Sequence, residues 1–215
     1  MKNVLLIGLG QFGRHMAQKL SNIHNQVLAI DKDERRIQEA MSFVTNAEIG
    51  DATNPALIES LGVRDFDLCV VTIGHDLQAS LEITDLLKKH GAPFVLARAA
   101  RDTHVQFLLS CGADEVIYPD KQIADWAAVR YGSNHIFDYI RLNSDHAIYE
   151  TDIPDSWIGH TVLDLAVRQR YNLNILAIRR EGQVTPLPGP NHQFSRDERI
   201  ILLGGEKDVQ KFLKF

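Results

Sequence analysis

Asn3-Val4-Leu5-Leu6-Ile7-Gly8-Leu9-Gly10-Gln11-Phe12-Gly13 places a five-residue strand-like run directly before a G-x-G-x-x-G pattern. Phe12, Met16, Leu20 and Ile23 follow at helical spacing, so the order strand, tight turn, amphipathic helix is expected. In that setting Gly8 makes the turn, Gly10 lets backbone approach a phosphate, and Gly13 lets helix and strand pack closely. The helix start, at Gln11 and Phe12, offers free N–H groups to an anion. The plainer reading is a glycine turn that serves packing alone. Asp31 closes the next apolar run, 26–30, where a carboxylate accepts hydrogen bonds from both ribose hydroxyls. That position favours NAD or an adenosine nucleotide over NADP, because Asp31 repels a 2′-phosphate that neighbouring Lys32 would tolerate. Asp31 can also cap the helix expected from Asp33.

Outward from this unit, β-branched runs alternate with helical segments up to Pro119. Strands are expected over 3–7, 26–30, 44–49, 67–72, 94–97 and 115–118, with helices starting near Gln11, Asp33, Asn54, Asp76 and Thr103. The fold class is therefore α/β, a Rossmann-like doubly wound parallel sheet. Ligand-facing residues of such sheets follow the strands, which singles out Asp51, Ala52 and Thr53 after the third and Gly74 after the fourth. Arg98 and Arg101 after the fifth can reach phosphates or remain solvated loop charges. Thr53 or Asn54 can equally cap a helix. A long helix is expected over 121–131, after which the texture shifts to shorter strands, over 146–152, 174–180, 183–186 and 199–203. Helices over 162–170 and 207–213 accompany them. This gives a small C-terminal α+β lobe and a division into 1–140, crossover helix included, and 141–215.

Composition limits the function classes. The 215 residues are 45% hydrophobic and 24% charged, a globular composition rather than a disordered or collagen-like one. No apolar run reaches the length that spans a bilayer and no export signal is recognisable. Cys69 and Cys111 stand far apart with no metal-type spacing, which suits a reducing cytoplasm. The net charge is −5, and the acidic balance lies in the first 140 residues, so the basic face of a nucleic-acid binder is missing. An NAD-dependent oxidoreductase would share the fold, yet no Tyr-x-x-x-Lys pair or other acid/base constellation accompanies it, and no His pattern suits a metal.

The glycine motif, Ala29-Ile30-Asp31, Gly50-Asp51-Ala52-Thr53, Thr72-Ile73-Gly74, Gly112-Ala113-Asp114 and Tyr118-Pro119-Asp120 together resemble the cytoplasmic regulator-of-potassium-conductance (RCK) subunits of Trk and Ktr potassium-uptake systems. Ile158-Gly159, Leu165, Val167-Arg168, Tyr171, 175–179 and 197–200 resemble the TrkA-C domain. The resemblance implies a non-enzymatic gating ring, commonly an octamer built from dimers, that binds ATP, ADP or NAD(H). It implies docking on a separate membrane potassium-translocating subunit of the TrkH/KtrB type, peripheral to the inner face of the cell membrane. Ile73 joins the cofactor-binding set on this basis. Two positions depart from the pattern. Gln11 stands where ATP-responsive relatives carry Arg, and Asp120 where they carry a Glu that helps hold a divalent cation, Mg or Ca. Asp120 can alternatively cap the helix from Lys121. In the second lobe the resemblance implies cyclic di-AMP at a dimer interface through Arg168, Ile175 and Pro188; as a cation at a helix end, Arg168 also has a local reason to be there.

Overall fold

A computed structural model describes residues 1–213 and divides them into two compact units, 1–121 and 122 onward. The last two residues of the lobe expected over 141–215 lie outside the described residues.

In the first unit β1 (Asn3–Ile7), α1 (Gln11–Asn22), β2 (Gln26–Asp31), α2 (Glu34–Ala40), β3 (Asn46–Ile49) and α3 (Pro55–Ser60) are followed by β4 (Leu68–Val71), α4 (Leu77–Lys89), β5 (Val95–Arg98), α5 (Asp102–Ser110) and β6 (Glu115–Ile117). The sheet is parallel throughout, in the order β3-β2-β1-β4-β5-β6. Val4 to Ile7 are all buried because helices cover both faces, with Leu5 and Ile7 in one core and Val4 and Leu6 in the other. The strand order reverses between β1 and β4, and a crevice opens there at the carboxyl ends of the strands. β3 starts later than its apolar run suggests. Phe43 and Val44 still donate their N–H groups to the Ala40 carbonyl, so the chain is completing the end of α2 over those residues.

α6 (Pro119–Gly132) carries the chain onward. The sequence reading assigns this helix to the first lobe, yet from Gln122 it belongs to the second unit. Trp126 and Val129 pack against that unit's core, and Trp126 Nε1 donates to Asp138 Oδ1 at 3.1 Å.

The second unit continues with β7 (Ile136–Arg141), β8 (His146–Asp152), α7 (Val162–Leu165), α8 (Val167–Tyr171), β9 (Asn174–Arg180), β10 (Gln183–Pro186), β11 (Glu198–Gly205) and α9 (Glu206–Phe212). Its antiparallel sheet has the order β10-β9-β11-β8-β7, around Trp157, Phe194, Leu202 and Phe212. Two expectations need correcting. β7 lies outside the expected strands although Ile136, Phe137, Tyr139 and Ile140 are strand-forming residue types; it forms the sheet edge by pairing with β8. The single helix expected over 162–170 is two short helices, broken where Ala166 adopts φ 46°. Leu165 and Val167 are both buried. A continuous helix would set residues two apart on nearly opposite sides, so the left-handed break is what sends both into the core. Among the described residues no helix is long and apolar enough to cross a membrane.

Buried His104, 1% exposed, makes the first unit sensitive to pH. Its Nδ1 faces the Ala100 N–H at 3.3 Å, its Nε2 is buried without a hydrogen-bond partner among the described residues, and burial, aided by the Arg101 charge, lowers its pKa. The unfolded chain takes up this proton first as pH falls, so stability should decline as pH drops below about 6.5, continuing until the lowered native pKa is passed. Thermal melts between pH about 7.5 and 5 should show this decline, and His104→Asn, which keeps an acceptor but cannot titrate, should flatten it.

Candidate functional site

A cleft of about 950 Å³ opens in the first unit at the carboxyl ends of β1, β2, β4 and β5. Its floor is the turn after β1. Gly8 has φ 100°, donates its N–H to the Ile30 carbonyl at 2.8 Å, and accepts the Thr72 hydroxyl on its own carbonyl at 2.5 Å. A Cβ on Gly13 would fall on that same carbonyl oxygen, so Gly13 shapes the turn from behind and does not line the cleft. Gly10 is the opposite case. Its extended backbone precedes α1 with no side-chain cap, and a Cβ there would meet nothing, leaving a bare cradle before a helix start whose N–H groups are open to an anion.

Asp31, 6% exposed, sits at the end of β2. Its Oδ2 accepts the Leu9 N–H at 2.6 Å and lies 3.4 Å from Arg36 Nη1, while Oδ1 accepts the Asp33 N–H at 2.9 Å. One carboxylate thus ties the glycine turn to β2 and retains lone-pair capacity toward the cleft. Lys32 and Arg36 stand exposed beside it, and Arg36 also approaches Asp33 at 3.7 Å. Asp51, Ala52 and Thr53 border the same end. Asp51 Oδ1 takes both the backbone N–H and the hydroxyl of Thr53, at 3.0 and 2.8 Å; these bonds, with Lys32 nearby, hold its carboxyl below the usual range. Asn54 caps α3, so Thr53 stays with Asp51.

The other end is built around Arg98. Its side chain is 17% exposed, and the guanidinium lies 5.3 Å from the centre of the Phe12 ring and runs past Gly74, with Ile73 alongside. Its Nε is buried with no hydrogen-bond partner among the described residues, and Nη2 lies 3.8 Å from Asp120 Oδ2. An oxygen of a bound phosphate is the chemistry that suits such a group. Gln11 lies at the cleft mouth, while Arg101, at the N-terminal boundary of α5, is not part of the lining.

Of the residues that the sequence places at a cofactor in the first lobe, the cleft therefore gathers all but Gly13 and Arg101. Asp120 is 72% exposed, in the first turn of α6, and faces Arg98 rather than other carboxylates. Among the described residues no group of three His, Cys, Asp or Glu could hold a metal ion, so a divalent cation at Asp120 would take its remaining oxygen ligands from the phosphates of a bound nucleotide. Arg168 and Ile175 lie in the second unit, Arg168 exposed on α8 and Ile175 half-buried on β9, and they line neither described cavity. Two contributors lie outside the sequence reading: Arg36, in the first turn of α2 and five positions after Asp31, and Thr72 as the clamp on the turn. Arg36 had a usable signal, a cation placed to return over the carboxylate at the start of α2.

The reversed strand order, the glycine turn and the carboxylate at the end of β2 define a Rossmann-type binding lobe, followed by a small antiparallel lobe. The chain belongs to the TrkA family of potassium-uptake proteins: the TrkA-N domain matches residues 4–119 and the TrkA-C domain residues 147–215. It is 33% identical over 213 residues to Ktr system potassium uptake protein C of Bacillus subtilis (strain 168), covering 99% of this chain and 96% of that protein. Identity to Ktr system potassium uptake protein A of the same organism is 31% over 211 residues, covering 98% and 95%. Among solved structures, the GsuK channel superposes with a TM-score of 0.72 at 14% identity, covering 98% of this chain and 38% of that one. A GsuK channel bound to NAD gives 0.67 at 15% identity, covering 97% and 38%.

Asp31→Ala should lower stability by about 1–3 kcal/mol, since it leaves the Leu9 N–H without its acceptor. Urea unfolding checks this, and calorimetry should find adenosine-nucleotide affinity reduced as well.

Proposed function

We propose that this chain is the cytoplasmic regulatory subunit of a potassium-uptake system, switched by an adenine nucleotide in the glycine-turn cleft. The observation that carries the reading is the open Gly10 cradle, with Asp31 and Lys32 at one end of the cleft and Arg98 at the other, in a chain that belongs to the potassium-uptake family. Ribose hydroxyls are held by Asp31, the adenine lies against Asp51, Ala52 and Thr53, and phosphates rest on Gly10 and the N-terminus of α1 with Arg98 within reach. The ligand class is ATP, ADP or NAD(H), and the role is binding without chemical turnover. Potassium passes through a separate membrane subunit of the TrkH/KtrB type, on which this chain docks as dimers gathered into a ring.

Gating follows from differential affinity. Because Asp31 is bonded to Leu9, a ligand that engages the ribose site also restrains the phosphate turn, so the whole cleft responds as one body. A coupling of about 1–3 kcal/mol changes an open population about 5- to 150-fold. Gln11 sets the preference among phosphates: with no guanidinium there, ATP and ADP should bind within about tenfold of each other. Calorimetry should find Gln11→Arg raising ATP affinity more than ADP affinity. Potassium uptake by cells that carry the membrane subunit should rise on co-expression of this chain and lose that rise with Gly13→Ala. Absence of both nucleotide binding and an uptake effect overturns the reading.

The second lobe takes cyclic di-AMP across a two-fold axis, Arg168 from each of two copies meeting one phosphate and Ile175 and Pro188 packing on the bases. A ligand of two equal halves suits an interface that presents the same residues twice. Arg168→Ala should abolish cyclic di-AMP binding by calorimetry while light scattering still finds the dimer.

A further inference from the structure

The second unit contains a cavity of about 430 Å³ between α6, the β7–β8 hairpin and α9, and it shares no residue with the glycine-turn cleft. Its walls are apolar at Val129, Ile136 and Val209. Tyr139 and Tyr149 form one side, their rings stacked at 5.7 Å. Tyr139 Oη accepts from Arg141 Nε at 3.1 Å. The Tyr149 hydroxyl has no hydrogen-bond partner among the described residues, although the residue is only 5% exposed and lines the cavity. Burial and then the Glu206 charge raise its pKa, so it stays a neutral phenol, able both to donate and to accept.

Arg141 and Glu206 line this cavity too, and each charge is felt at Tyr149. They do not pair with each other. The carboxylate nearest Arg141 is Asp125, at the limit of an ion pair at 4.0 Å, and Glu206 uses Oε1 to accept from Gln210 at 3.1 Å. The cavity thus presents a guanidinium and a carboxylate held apart, with an unengaged phenol near both. A simple anion would meet Glu206 and Asp145, and a simple cation would meet Arg141. A molecule bearing one charge of each sign converts an unmade ion pair into two made ones.

We propose that this cavity binds a small zwitterion of the α-amino-acid class, its carboxylate on Arg141 and the Tyr149 hydroxyl, its ammonium on Glu206, and its side chain against Val129 and Val209. The site is independent of the nucleotide reading.

The test uses the full chain without nucleotide. The twenty common amino acids are screened by ligand-observed NMR, and the best binder is titrated by calorimetry together with its deaminated acid and its decarboxylated amine. At least one amino acid should bind with Kd below about 1 mM, and both truncated analogues should bind at least about tenfold more weakly. Tyr149→Phe and Glu206→Gln should each reduce affinity about tenfold. Both variants should fold normally, because the phenol has no partner to lose and the amide carbonyl introduced by Glu206→Gln still accepts from Gln210; an unchanged melting temperature checks this. The proposal is overturned if no amino acid binds at about 10 mM, if both variants bind as tightly as the parent, or if the acid alone binds as well as the amino acid, which would make this an anion site.

Discussion

The Gly8 carbonyl oxygen is the point on which the first unit turns. It accepts the Thr72 hydroxyl from the end of β4 and lies where any side chain at Gly13 would have to be. β1, β4 and α1 therefore meet at one atom, and their spacing is fixed by the absence of a Cβ rather than by an attraction. Close packing of this kind is stiff, because displacing the carbonyl breaks a buried hydrogen bond and drives backbone into backbone. The cleft inherits that stiffness: Leu9, held by Asp31 on the far side, cannot move without disturbing β2.

Charge in the cleft is arranged around that rigid floor rather than concentrated for one ligand. Asp31 and Arg36 balance each other at one end, and Arg98 and Asp120 at the other. A phosphate arriving at Gly10 meets backbone N–H groups first and a guanidinium second. At the mouth of the cleft this chain carries the neutral Gln11.

Helix α6 serves each unit with a different part of its length. Its first turn contributes Pro119 and Asp120 to the glycine-turn cleft, and Ala128, Val129 and Gly132 near its end contribute to the second cavity. Between them Trp126 is tied to Asp138 of β7, which anchors the later turns to the second unit's sheet. None of its residues is fully buried. The chemistry of the two ends differs accordingly: a carboxylate facing a guanidinium at the start, small and apolar side chains against stacked tyrosines at the finish.

The parallel sheet, the glycine turn and the position of Asp31 were all legible in the chain, because they rest on local rules: strand residues before glycines, a helix start at Gln11 and a carboxylate at a strand end. Neighbours in the chain enforce them whatever lies around. The second duty of Asp31 was not legible, since the bond to Leu9 joins residues 22 positions apart that only the sheet brings together. The same holds for the Arg36 pairing, the β7 edge, and the break at Ala166, where two buried side chains overrule helical propensity. The second cavity was invisible for the same reason. Tyr149, Arg141 and Glu206 come from two strands and a helix, and their shared space exists only once β8 has paired with β7 and α9 has folded beside them. Local patterning sets which elements form, whereas the placing of charges and hydroxyls around a void depends on packing between segments distant in the chain.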